Sequence, residues 1–264
     1  MTKEPGGVRM PETDVLRIEQ RGPVLLVTMN RPNQRNALNV ELRNALRETF
    51  DAFDAHPELR CAVLTGNGSA FCAGADLKEM AATRMAVPGE DSVLLLGSRG
   101  RVSKPVIAAV NGYAVAGGFL LAQNCDLCIA SEEARFGIAE VKVGRGSPWA
   151  VPLISLLPRR IMMELLLTGE PVDARRAYEV GLANRVVAGS ELVDTALAMA
   201  GTIAANAPLS VRAAKQMVEV ATEVGETQAL RTADLIYHRV YTSDDAQEGP
   251  RAFAEKRDPV WTGR

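Results

Sequence analysis

Three short apolar runs constrain this chain most: "CAVLTG" at 61–66, "PVIAAV" at 105–110 and "DLCIA" at 126–130. Each is too short for a stable helix and too uniformly apolar for a surface segment, so each reads as a short buried strand. The first ends in the turn residues Gly66, Asn67 and Gly68, and a helix starting near Gly117 separates the other two. Strands alternating with helices imply an α/β fold built on a mostly parallel sheet with right-handed crossovers.

Upstream, "DVLRIEQRGPVLLVTMN" reads as two strands joined at Arg21-Gly22-Pro23. "VELRNALRETFDAFDA" is an amphipathic helix with Leu42, Leu46, Phe50 and Phe53 at helical spacing. Beyond about residue 150 the pattern turns helical. "RRIMMELLLTGE" has Pro158 suited to its first turn and Gly169 to its end, while Asp173 can cap "ARRAYEV" and Gly181 can close it. Three further helices are expected over "SELVDTALAMAGTIAANA", "PLSVRAAKQMVEVATEV" and "ETQALRTADLIYHRVYTS". The expected organisation is a loose tail over 1–14, an α/β core over 15–200 and a helical C-terminal region over 201–264.

Composition removes several function classes. The 264 residues carry a net charge of −2, which favours neither nucleic acid nor an anionic membrane. No apolar run reaches the roughly 18 residues of a membrane helix, and the polar start lacks the apolar core of a signal peptide, so the cytoplasm is the expected setting. Cys61, Cys72, Cys125 and Cys128 make no disulfide framework in a chain this long. The "CDLC" at 125–128 reads as part of a buried strand, where positions three apart face opposite sides, so core packing is expected rather than a metal. Only two histidines, His56 and His238, are present, both on helix-like segments, which disfavours a Ser-His-Asp triad or a histidine metal site. Neither a P-loop nor a GxGxxG after a strand occurs.

Two loops remain. "GNGSAFCAGADL" (66–77) and "NGYAVAGGFLLA" (111–122) each follow a strand and lead into a helix. Each can present a free backbone N–H at a helix N-terminus, where orphan donors favour an anion. Two such donors aimed at one point make an oxyanion hole, and small residues leave the backbone accessible.

With these loops in view, the chain resembles the crotonase, or enoyl-CoA hydratase/isomerase, superfamily. The matching pieces are "RPNQRNALN", "FCAGADLKEM", "KPVIAAVNGYAVAGG", "CDLCIASEEARFGIAEVKVG", "LLLTGEPVDARRAYEVGLANRVV" and "EGPRAFAEKRDPVW", in family order from about residue 15 to the end. The resemblance implies a superhelix of ββα turns with a helical C-terminal trimerisation region, assembly as a trimer or hexamer, and acyl-CoA thioester substrates. Coenzyme A then belongs to the substrate, and no separate cofactor or metal is implied. Carried over by position, the oxyanion donors are the N–H groups of Ala75 and Gly117. Arg35, Ala37, Ala73, Asp76 and Leu77 are expected along the adenine and pantetheine, and Phe253 and Lys256 match positions that reach a CoA. Asp76 can equally be a helix cap, and Lys256 a solvated charge.

The resemblance also exposes a departure. Hydratases of the family carry two glutamates; the second is present as Glu140, but Leu120 occupies the position of the first. A single carboxylate can take a proton at one carbon and return it at another. That suffices to move a double bond, whereas hydration also needs a positioned water. Isomerisation is therefore favoured on chemical grounds, with hydration by one glutamate, or a catalytically weak acyl-CoA binder, as alternatives. Trp149, in the atypical loop "GRGSPWAVPL", can wall the acyl pocket or simply pack.

Overall fold

The hairpin expected around Arg21-Gly22-Pro23 is formed by β1 (Leu16–Arg21) and β2 (Val24–Met29), in a computed structural model that describes residues 10–11, 13–83 and 102–264. The expected tail over 1–14 falls mostly outside the described residues. Helix α1 (Val40–Ala55) follows, its first turn capped by the Asn39 side chain, which accepts from Leu42 N at 3.0 Å. Its Leu42, Leu46, Phe50 and Phe53 are fully buried, as their spacing predicts.

The chain then makes three similar turns. The first holds β3 (Cys61–Gly66), β4 (Ala70–Cys72) and α2 (Leu77–Thr83); the second holds β5 (Val106–Val110), β6 (Tyr113–Val115) and α3 (Gly117–Gln123). The third holds β7 (Leu127–Ser131), β8 (Arg135–Gly137) and a 3-10 helix at Ala139–Val143. The long strand of each turn joins one sheet and the short strand joins another. The six-stranded sheet runs β1-β2-β3-β5-β7-β10, with β10 at Arg185–Val187, and is parallel except for β1. The four-stranded sheet runs β4-β6-β8-β9, with β9 at Val172–Asp173 antiparallel at its edge. This is the ββα superhelix that the resemblance implied. The short strands have only three residues each, too few to show a period against their glycine-rich surroundings.

Both faces of the larger sheet are covered, which explains its continuous apolar runs. Along β3, Ala62 and Leu64 face the main core while Cys61 and Val63 face a second one; along β5, Val106, Ala108 and Val110 alternate in the same way with Ile107 and Ala109. The second core is closed by α7 (Leu192–Ala204), which presents Leu192, Ala196, Ala200 and Ala204 at four-residue spacing. The three alanines let the helix backbone approach the sheet closely, and α7 runs through residue 200 without a break.

Between β8 and α7 lie α4 (Leu153–Leu156), α5 (Arg159–Thr168) and α6 (Ala174–Glu179). Gly169 closes α5 in the left-handed conformation, and the Asp173 carboxylate caps α6 by accepting from Arg176 N at 2.8 Å, both as expected. Pro158 stands at the N-cap of α5, one position before its first turn.

The C-terminal region differs from expectation by one helix. After α8 (Pro208–Glu223) and α9 (Glu226–Tyr241) comes α10 (Asp244–Glu255), which contains Pro250. A Gly249-Pro250 pair argues against a helix from sequence. Tertiary bonds override it: Glu248 pairs with Arg257 at 2.6 Å and accepts from Val260 N, and Asp245 accepts from Thr262 N and Gly263 N. The reading of "NCDLCIAS" as one strand is also corrected. Cys125 precedes β7 and only Cys128 lies on it, yet both thiols are buried, and burial pushes the Cys128 thiol up to about 12. Among the described residues no single helix is long and apolar enough to cross a membrane.

Candidate active site

Strands β4, β6 and β8 lie side by side and parallel, so the chain leaves all three at the same edge of the smaller sheet. In open parallel sheets this carboxyl edge is where ligands bind. Here it receives residues 73–77 from β4, 116–117 from β6 and 138–140 from β8.

The first loop is held by residues 35–38. Ala73 N donates to Arg35 O at 3.0 Å, Leu38 N to Gly74 O at 2.8 Å and Asp76 N to Leu38 O at 3.2 Å, with Leu38 and Ala75 forming a parallel bridge. In such a bridge the flanking residues bond to Leu38, so the N–H of Ala75 itself points away from it. Gly74 is required here: its φ is +90°, and a Cβ on it would lie 2.8 Å from Ala116 Cβ and 3.2 Å from Gly117 N.

The second loop lies against that glycine. Ala116 has φ 51° and ψ −124°, a strained conformation for a residue with a Cβ, held by its N–H donating to Gly137 O at 3.0 Å. Its own carbonyl accepts from Leu120 N, which starts α3 with Gly117 as the first helical residue. The Gly117 N–H therefore has no intrahelical acceptor. Ala75 and Gly117 are neighbours, since a Cβ built on Gly117 would be 3.7 Å from Ala75 N. Among the described residues, no group accepts a hydrogen bond from either N–H. At the next position a Cβ on Gly118 would meet Cys72 O at 2.0 Å, so only glycine lets α3 sit on β4 at this distance.

The third loop carries Glu140. Its Oε1 accepts from Trp149 Nε1 at 2.8 Å, while its Oε2 is buried and has no partner among the described residues. Burial raises the Glu140 pKa above the ordinary glutamate value; its own backbone N–H and that of the Trp149 indole oppose the shift without cancelling it. Leu120 is buried on α3, and Phe119 beside it packs edge-on against Trp149 at 6.1 Å between ring centres. A half-desolvated carboxylate with one unsatisfied oxygen is arranged to accept a proton.

Comparison with known proteins identifies the family. Residues 19–264 match the family described as enoyl-CoA hydratase/isomerase. The chain belongs to the enoyl-CoA hydratase/isomerase family. It is 42% identical to enoyl-CoA hydratase EchA19 of Mycobacterium tuberculosis, over 94% of this chain and 96% of that one. It is 40% identical to carnitinyl-CoA dehydratase of Salmonella enteritidis, over 96% of this chain and all of that one. A crystal structure of an enoyl-CoA hydratase from M. tuberculosis superposes with a TM-score of 0.88 at 39% identity, covering 96% of this chain and 100% of the other.

Family membership gives the remaining candidates a frame. Asp76 caps α2 through Lys78 N and Glu79 N and pairs with Arg31 at 3.1 Å. Burial pushes its pKa up, but the Arg31 guanidinium and those two N–H groups outweigh this and hold the carboxyl below its ordinary value. Arg35 is exposed in a left-handed conformation, Ala37 is half-buried with its carbonyl bonded by Arg31, and Leu77 is exposed at the start of α2. All of these, with Ala73, fall in the paired segments 35–38 and 73–77. Phe253 and Lys256 lie elsewhere, on and just after α10, which packs on α9; Phe253 is 87% exposed. The sequence reading missed Arg31, Asn36 and Gln123. Asn36 is fully buried and ties the first loop together, accepting from Arg31 N and donating to Asn67 O and Ala70 O. Three bonds on one buried amide are invisible in sequence; only its place inside "RPNQRNALN" hinted at them.

Proposed function

We propose that this chain acts on acyl-CoA thioesters through an enolate-like intermediate. The N–H groups of Ala75 and Gly117 receive the thioester oxygen, and Glu140 is the lone acid/base. The observation that carries this reading is the Oε2 of Glu140, buried and without a partner among the described residues, on the third of three loops at one sheet edge. Two backbone donors at the carbonyl oxygen stabilise negative charge there and acidify the adjacent carbon. Glu140 then takes a proton from one carbon and returns it to another, which moves a double bond from the 3,4 to the 2,3 position. Residues 35–38 and 73–77 are the proposed CoA track, with Phe253 and Lys256 as outlying contacts. The cytoplasm is the proposed setting.

Hydration is the second reading, favoured by relatives named for hydration and dehydration. Product analysis with 3-enoyl-CoA and 2-enoyl-CoA side by side separates the two. Conversion of the first to the second without 3-hydroxyacyl-CoA supports isomerisation; prompt 3-hydroxyacyl-CoA formation overturns the preference. Turnover of neither leaves only an acyl-CoA binder. The same assay tests Leu120. Introducing a carboxylate with Leu120→Glu supplies the second group that can hold a water, so the ratio of hydration to isomerisation is expected to rise by about 10²-fold, the lower end of what one acid–base group supplies. An unchanged ratio argues that Leu120 does not face the reacting carbons.

Assembly belongs to the same proposal. No residue of α9 is buried in the single chain, and Leu230, Leu235 and Tyr241 stand exposed on it. A helix with that much unpartnered apolar surface needs a cover. Light scattering at micromolar concentration is expected to give the mass of a trimer or hexamer of the 28.3 kDa chain. A clean monomer rejects this assembly.

A further inference from the structure

We infer that Trp149 is a positioning residue: anchored on α3 by Gln123 and Phe119, it fixes one oxygen of Glu140 and thereby leaves the other for proton transfer. The inference rests on the proposed role of Glu140 as the base. The last torsion of a glutamate is broad and nearly two-fold, so a carboxylate without a specific partner exchanges its two oxygens freely. One fixed N–H breaks that symmetry. Indole nitrogen is a donor only, so it bonds the ionised carboxylate and cannot itself compete for the proton.

The geometry meets this requirement on both sides. Trp149 Nε1 donates to Glu140 Oε1 at 2.8 Å, and Oε2 has no partner among the described residues. Trp149 itself is held twice. Its carbonyl accepts from Gln123 Nε2 at 2.8 Å, and its ring meets Phe119 edge-on at 70°. Phe119 is fully buried and leans in turn on Phe136 of β8, with ring centres 5.7 Å apart. Phe119 and Gln123 flank Leu120 on one short helix. Thus α3, which offers no carboxylate, still acts on the base through the tryptophan it holds.

The test is Trp149→Phe in the full chain, which keeps a ring against Phe119 and deletes the N–H. With 2-enoyl-CoA and 3-enoyl-CoA as probes, kcat for the reaction the wild type performs is expected to fall about tenfold with little change in KM. The acid limb of its pH profile should move up by about one pH unit, because a bond to the ionised form is lost. A purely structural tryptophan would not move that limb. Wild-type kcat and an unmoved limb overturn the inference. Should Trp149→Phe fold poorly, Trp261→Phe provides a second measurement, since only two tryptophans are present and it leaves Trp149 as the sole emitter. Its emission is expected to titrate with the midpoint of the kinetic acid limb and to lose that titration when Glu140→Gln is added; emission flat with pH in both overturns the inference. Full activity of Glu140→Gln would instead remove the proposed base. An inactive Glu140→Gln beside an unaffected Trp149→Phe removes the positioning role alone.

Discussion

Replacing Glu140 by glutamine is expected to lower turnover by about 10²–10⁴-fold, the usual worth of a positioned acid–base group, while acyl-CoA affinity changes little. The amide fits the site as it stands. Its oxygen can take the place of Oε1 and keep the bond from Trp149 Nε1, which puts the NH₂ where the unpartnered Oε2 now sits. Shape and anchoring survive, and only the capacity to accept a proton is lost. Stability provides an independent check with a definite sign. Burial raises the folded-state pKa of Glu140, so the folded protein disfavours the charged form. Its contribution is therefore most favourable at low pH. It is lost as pH rises from the ordinary glutamate value through the raised folded one. Glutamine has no such loss, so at neutral pH the variant should melt no lower than the wild type. Wild-type pH behaviour should also include an acid limb above the ordinary glutamate range, because the base must be ionised to take a proton. A fully active Glu140→Gln would mean that another group is the base.

How far the sequence foretold this site depends on the length scale of each feature. The strands of the larger sheet announce themselves because both faces are buried, so every residue of "CAVL" and "VIAAV" had to be apolar. The three-residue strands β4, β6 and β8 do not, although they bring the three loops to one edge. Their positions are set by pairing between distant segments, such as Val115 with Gly137, and nothing local marks it. The small residues of the two loops were legible as a signal for accessible backbone N–H groups, but the close approach of one backbone to another at Gly74 and Gly118 was not. Gly118 against Cys72 O and Gly74 against Ala116 are contacts across more than forty residues. The Trp149–Glu140 bond belongs to a third kind. Both residues stood out in the sequence, yet their nine-residue separation spans a turn at Gly144 in the left-handed conformation, and only the folded loop joins them. Helix α10 was not among the expected helices, and local chemistry would not have found it: Gly249-Pro250 disfavours a helix that Asp245 and Glu248 hold together from outside.

The oxyanion proposal makes an equally sharp demand on one atom, the amide hydrogen of Gly117. Gly117→Pro removes it at the first position of α3, where that N–H bonds to nothing in the helix. Loss of one oxyanion donor costs about 10²–10³-fold in kcat, and the proline ring also occupies the space in front of the missing hydrogen, so the loss should reach at least that range. Proline adds bulk as well, and the control must carry that part. Gly117→Ala keeps the N–H and places a Cβ 3.2 Å from Leu38 Cδ1, the end of a side chain that can shift by the few tenths of an ångström required. Alanine is therefore expected to stay within about fivefold of the wild type, since removal of neither donor nor acceptor is involved. Circular dichroism and light scattering on both variants confirm that α3 and the assembly persist. The proposal needs the two variants to differ. If proline turns over as fast as alanine, the thioester oxygen does not rest on Gly117, and the proximity of Ala75 and Gly117 is a consequence of close packing between α3 and β4.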